Sequence, residues 1–221
     1  MLTWFADEIR RRKPADLPLK VAIDGRCASG KTLVADSLAP RLRAHGFEVL
    51  RPSVDGFHHP KAHRYRQGEY SAAGYYEDAF NYAAVVSHLL GPLSGSAFPV
   101  LCRNASHDLR TDAAVDDPIA VSSNAVLLFD GVFLFRRELN AYWDFRVLLD
   151  VDASTSVERA VERDVGPNTD ADVVRRKYDV RYEPAWRMYC ELEQPEVKAD
   201  VIIDNRDVAE PRFLKGGPAR G

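Results

Sequence analysis

The chain is poor in cysteine: Cys27, Cys102 and Cys190 are dispersed over 221 residues and form no C-x-x-C pair. That excludes a disulfide framework and a cysteine zinc knuckle, so a reduced, cytoplasmic compartment is the expectation. An excess of one charge is also lacking. Thirty Lys+Arg against thirty-three Asp+Glu leave a net charge of −3, which gives no basic field for a nucleic-acid partner. Long apolar runs are absent too, since Val126–Phe129 and Val132–Phe135 are separated by Asp130 and fall far short of the roughly 20 residues of a membrane helix. No membrane partner is expected. Met1–Lys13 holds Asp7 and Glu8 and no apolar core, so a cleaved leader is not expected either. There is no fixed-period repeat, and the Gly/Pro-containing Lys215–Gly221 reads as a frayed end.

With 46% hydrophobic and 29% charged residues, the chain suits one domain over 1–221 with its own core. Short apolar runs alternate with helical patterns, the signature of an α/β fold with a parallel sheet flanked by helices. Strands are expected at Leu19–Asp24, Phe47–Val54, Ala125–Asp130, Phe145–Asp150 and Val201–Asp204, with Ala125–Asp130 central. Helices are expected at Thr32–Ala44, at Ala79–Leu90 closed by Gly91-Pro92, at Ser154–Asp164 and at Asp170–Glu191. The Pro- and Asp-rich stretch 96–121 suits a small hairpin. The breaker Val165-Gly166-Pro167-Asn168 would hinge a helical lid over about 163–181, rich in arginine.

The most informative stretch is Gly25-Arg26-Cys27-Ala28-Ser29-Gly30-Lys31-Thr32, a G-x-x-x-x-G-K-T pattern between a strand and a helix. A polyphosphate needs converging backbone N–H groups, which the glycines permit, and the helix N-terminus favours the anion. Lys31 would reach the β and γ phosphates and Thr32 would ligate Mg²⁺, so ATP and Mg²⁺ are the expected cofactors of a P-loop NTPase. Cys27 reads as a small tolerated residue or as a thiol activated by the helix N-terminus.

Two carboxylates end strands on the rim where the loop must lie. Asp55, in Val54-Asp55-Gly56-Phe57-His58, could take the proton of an attacking alcohol. Asp130 stands where P-loop proteins place the acid that supports the metal. His58, His59 and His63 suggest a metal, but zinc would need a fourth ligand, and solvated or substrate-facing roles fit as well. Tyr65, Tyr70, Tyr75, Tyr76 and Tyr82 could stack a planar ring or serve as cover. Arg163 and Arg176 are the lid arginines expected to meet transferring charge.

The order of GRCASGKT, VDGFH, GYYEDAF, LLFDGVFLF, the RA-x-x-RD-like run at Arg159–Asp164 and the ADVIIDN ending resembles the uridine kinase and phosphoribulokinase-related P-loop kinases over about Leu19–Asn205. The resemblance implies Mg-ATP-dependent phosphorylation of a small-molecule hydroxyl, most simply that of a nucleoside. It also implies Asp55 as base, Asp78 against ribose hydroxyls, Asp130 near the metal and His107 as the hairpin histidine. His58 and Cys102-Arg103 depart from the tyrosine and Tyr-Asp pair that uridine kinases commonly carry. The Asp-Gly-Phe-His form also occurs in pantothenate-kinase-like and sugar-kinase-like relatives, so a vitamin or sugar acceptor is the alternative. A nucleotide switch would need an Asn-Lys-x-Asp segment, whose spacing Asn205-Arg206-Asp207 does not reproduce. A homo-oligomer is compatible with the sequence.

Overall fold

The computed structural model describes residues 1–166 and 169–218. The chain opens with α1 (Leu2–Arg12), whose Phe5 and Ile9, one turn apart, are buried beside the sheet. This first stretch is a packing helix. β1 (Leu19–Gly25) is buried along its length, as a central strand covered on both faces must be. The phosphate-loop sequence leads into α2 (Lys31–Ala44) and then β2 (Glu48–Leu50). The strand expected over Phe47–Val54 is therefore short. Pro52 has no N–H for the ladder, and the chain pairs again only at Ser53, opposite Asp130, before Val54–Phe57 forms a 3₁₀ turn.

Next come α3 (Lys61–Arg64), α4 (Ala72–Asp78) and α5 (Tyr82–Val85), which continues through a π turn at Val86–Leu90 into α6 (Gly91–Leu93). This corrects the single helix expected over Ala79–Leu90. Asn81 caps the start by accepting the Ala84 N–H at 3.0 Å. Gly91-Pro92 does not end the helical path, which runs on from the π turn through Pro92 to Leu93.

The 96–121 region holds β3 (Val100–Arg103), β4 (His107–Asp108), β5 (Ala113–Ala114) and β6 (Pro118–Val121), with β3 antiparallel to β6 and β4 to β5. β7 (Ala125–Asp130) and β8 (Phe145–Asp150) return to the main sheet. They are followed by α7 (Ala153–Asp164), α8 (Ala171–Lys177), a π turn at Tyr178–Tyr182, α9 (Glu183–Glu193), α10 (Pro195–Lys198), β9 (Val201–Asp204) and β10 (Arg212–Lys215). Pro167 and Asn168 of the breaker lie outside the described residues. Lys215, expected to fray, ends a strand paired with β9, while 219–221 also lie outside.

The main sheet has the order β10-β9-β8-β1-β7-β2, parallel except for β10. Side chains alternate across it. Val21, Ile23, Val126 and Leu128 pack toward α1 and α2, whereas Ala22, Leu127 and Phe129 meet the core under α4–α6 and α9. By the same alternation Asp130 emerges on the α2 side and Asp24 on the α9 side. Among the described residues no helix is long and apolar enough to cross a membrane.

Candidate active site

The phosphate loop leaves the carboxyl end of β1, where Gly25 lies beside Leu149 of β8. A Cβ on Gly25 would stand 2.5 Å from the Leu149 carbonyl oxygen and 2.7 Å from Ser29 Oγ, so only glycine fits. Gly30 has φ +93°, and a Cβ there would lie 2.8 Å from Asn205 Nδ2. Ala28 adopts φ +57°, a left-handed conformation that costs an L-residue roughly 1–2 kcal/mol. Bonds from distant elements hold this shape: Asn205 Nδ2 donates to the Ser29 carbonyl at 2.7 Å and Ser156 Oγ to the Cys27 carbonyl at 2.6 Å. Arg26 pairs with Glu183 at the start of α9 and lies over Trp186.

The loop borders a cavity of about 900 Å³. Cys27, Ala28, Gly30, Lys31 and Thr32 form its wall, whereas Gly25, Arg26 and Ser29 shape the loop from behind. Lys31 Nζ donates to the Arg26 carbonyl and lies 3.4 Å from Ser29 Oγ. Burial pulls the Lys31 pKa down, against the carboxylates of Asp24, Asp130 and Asp55. Burial also pushes the Cys27 thiol up, and its Sγ lies 3.5 Å from Tyr75 OH, an environment opposite to that of an activated thiolate.

Thr32 Oγ1 donates to Asp130 Oδ2 at 2.7 Å, so the two residues singled out for the metal are brought together by the side alternation of β7. Arg51 Nη1 donates to the other oxygen, Oδ1, at 3.1 Å, and Nη2 pairs with Asp36. A hydroxyl and a carboxylate are hard oxygen donors, and so few of them fit an ion such as Mg²⁺, which keeps waters and phosphate oxygens in its shell. Among the described residues no three His, Cys, Asp or Glu side chains converge as a metal centre. The histidines have other partners: the His59 and His63 rings face each other at 4.1 Å, and His58 packs on Phe80 at 4.4 Å.

Asp55 borders the same cavity with its side chain 69% exposed, free to meet an incoming hydroxyl. His58 Nδ1 lies 3.0 Å from the Asp55 carbonyl oxygen; burial holds its pKa below the usual imidazole value, with Asp55 opposing. Tyr65 and Tyr75 also line the cavity, Tyr76 and Tyr82 pack around Arg136, and Tyr70 lies under Arg176. The tyrosines thus divide between wall and cover.

Three residues expected in the site lie off its wall. Asp78 is buried beneath it, where, against the upward push of burial, Arg66 and Gln67 hold its carboxyl below the usual range. His107 is buried in the hairpin with Nε2 2.9 Å from Asp112 Oδ1. Arg176 is exposed on α8, with its guanidinium over Tyr70 at 4.8 Å. Arg163 does reach the wall, paired with Asp164 at 2.7 Å.

Arg159, Arg181 and Arg64 also line the cavity; from sequence Arg181 is expected only as part of the arginine-rich lid, and Arg159 and Arg64 have no site role. Arg159 Nη2 donates to the carbonyls of Asn205 and Arg206, while its Nη1 is buried without a partner. Arg181 Nη1 donates to the carbonyls of Glu69 and Ser71, and its guanidinium lies between the Tyr65 and Tyr75 rings. Arg64 is 9% exposed, its Nε has no partner, and its Nη2 is 3.7 Å from Asp112.

Strand order and loop are those of a P-loop nucleotide-binding fold. No family model matches the chain. It is 25% identical over 190 residues to uridine-cytidine kinase B of Dictyostelium discoideum, covering 84% of this chain and 74% of that one. It is 23% identical over 189 residues to a uridine kinase of Proteus mirabilis, covering 83% and 85%. A solved structure described as a possible uridine kinase from Bacillus stearothermophilus superposes with a TM-score of 0.71 at 27% identity, over 91% of this chain and 96% of that one. The chain is thus similar to uridine kinases over most of its length, and it is an ATP-dependent P-loop kinase.

Proposed function

We propose that the chain transfers the γ-phosphate of Mg-ATP to a hydroxyl of a nucleoside. The observation that carries this reading is one cavity lined together by Lys31 and Thr32 of the phosphate loop, by exposed Asp55 and by Tyr65 and Tyr75. In this reading Thr32 and Asp130 hold Mg²⁺, which when bound neutralises charge on the phosphates. Lys31 and Arg163 follow the charge of the transferring group, and Asp55 accepts the hydroxyl proton. Tyr65 and Tyr75, which hold the Arg181 guanidinium between their rings, wall the acceptor, and His107 supports that wall through Asp112, the partner of Arg64. The names of the curated relatives support a pyrimidine nucleoside.

One feature favours a second acceptor class. Arg64 and Arg181 both line the cavity, and two arginines there match an alcohol that also carries a carboxylate, as the vitamin pantothenate does. The hairpin pair Cys102-Arg103 stands away from this wall, with Cys102 buried and Arg103 paired to Asp116. ADP release with uridine, cytidine, nicotinamide riboside, pantothenate and simple sugars separates the readings. Stimulation by uridine or cytidine is expected; stimulation by pantothenate alone, abolished in Arg64→Ala, would replace the nucleoside reading with the acid one.

A further inference from the structure

Asp24 is fully buried at the end of β1, the residue before the phosphate loop, and its carboxylate gathers donors from three parts of the chain. Oδ1 accepts the Gly25 N–H at 2.7 Å, from the loop itself. Oδ2 accepts the Leu134 N–H at 3.0 Å and the Phe135 N–H at 3.4 Å, from the turn that follows Asp130. Oδ2 also accepts the Tyr189 hydroxyl of α9 at 2.5 Å, and that hydroxyl in turn accepts the Phe135 N–H at 2.9 Å.

The turn adopts an uncommon backbone at this point. Phe133 has φ +63° and is almost wholly buried. For a bulky residue that is a conformational outlier, and the two amides that follow it both point at Asp24. Such strain persists only where the surroundings over-determine it. Each of the three segments also carries part of the cavity wall: Lys31 and Thr32 beyond Gly25, Gly131 and Val132 ahead of Phe133, Arg181 and Tyr182 just ahead of α9. Arg26 and Glu183 tie loop and helix a second time.

We propose that Asp24 is a positioning residue that registers the phosphate loop, the turn after Asp130 and the acceptor-side helix against one another through a single carboxylate. It touches no substrate. Replacing one oxygen by an amide group sets N–H groups against N–H and O–H donors, so the three segments no longer share one acceptor. Phosphoryl transfer depends on positioning and fixed dipoles more than on covalent chemistry, so small errors of register fall on the transition state.

The test uses the full chain and three variants, Asp24→Asn, Tyr189→Phe and the pair, with thermal melts, binding of a non-hydrolysable ATP analogue, and turnover of Mg-ATP with uridine and with water alone. Asp24→Asn is expected to lower kcat about tenfold or more while KM for ATP and analogue affinity change less than about threefold. Tyr189→Phe, which keeps the packing and removes one donor, is expected to lower kcat about threefold, and the pair to do no worse than Asp24→Asn. The turnover with water reads the loop whether or not uridine is the acceptor, so failure of the nucleoside reading leaves this test intact. Variants that melt lower yet keep wild-type kcat below their transitions, or single effects that multiply in the pair, would overturn the proposal.

Discussion

The phosphate half and the acceptor half of the cavity are built on different terms. In the phosphate half, polar groups are braced from several directions: Thr32 on Asp130, Asp130 on Arg51, and loop carbonyls on Asn205 and Ser156. In the acceptor half Asp55 is exposed, Arg64 keeps an unpartnered Nε, and Arg181 is held by backbone carbonyls with no carboxylate partner among the described residues. The braced half suits a group common to many kinases, a polyphosphate. The open half leaves donors for a ligand to satisfy, which is where selectivity between acceptors belongs.

The strongest way to break this contrast is Asp55→Asn. The side chain keeps its size and loses its proton-accepting charge, so kcat should fall by about 10²–10⁴ while ATP affinity changes little. Steady-state kinetics with a separate ATP titration checks it, and loss of ATP binding would move Asp55 into the phosphate half. Lys31→Ala should cost about 10²–10³ in kcat, since a fixed cation at the transferring group is lost; near-normal turnover at saturating Mg-ATP would remove Lys31 from its role.

A smaller effect sharpens the boundary between wall and surface. Arg163→Ala should lower kcat about tenfold, whereas Arg176→Ala, outside the cavity over Tyr70, should stay within about twofold of wild type. Equal losses in both would mean that α8 moves inward during turnover.

The smallest expected effect concerns pH. Burial raises the Asp24 pKa from the ordinary 3.8 to about 6, with Tyr189, Gly25 and Lys31 pulling the other way. Tyr82 and Cys190 are the other titratable groups that feel it. An acid whose folded value is raised binds its proton first in the folded state. Its own contribution to stability therefore grows as pH falls from about 7 toward 4, while turnover falls as the carboxylate loses its charge. Between pH 7 and 5 the melting temperature of wild type minus Asp24→Asn should shift toward wild type, and the acid limb of kcat near pH 6 should flatten in the variant.

What could be read from sequence follows the same division. The phosphate loop is local: eight consecutive residues carry glycines, lysine and hydroxyl, and strand ends suffice to place Asp55 and Asp130 on its rim. Thr32 and Asp130 meet because residues 126, 128 and 130 alternate onto the α2 side, and alternation is visible in sequence. The acceptor wall is non-local. Arg181 bonds to carbonyls more than a hundred residues earlier, and Arg64 reaches the cavity from a helix of four residues, so neither leaves a pattern. Asp78, His107 and Arg176 carry suggestive identities, yet their nearest partners, Arg66, Asp112 and Tyr70, are settled by packing. Asp24 had a signal available: one carboxylate at the end of a buried strand whose other charged residue, Lys20, stands near its start. Only the structure shows the four donors that meet it.

Phosphorus NMR of the products formed from Mg-ATP and uridine tests the central claim most directly. A phosphomonoester resonance that grows with ADP, and is lost in Asp55→Asn, is the result predicted. ADP accompanied by inorganic phosphate alone, at a rate that uridine does not change, would contradict the assignment of the open half to a nucleoside hydroxyl.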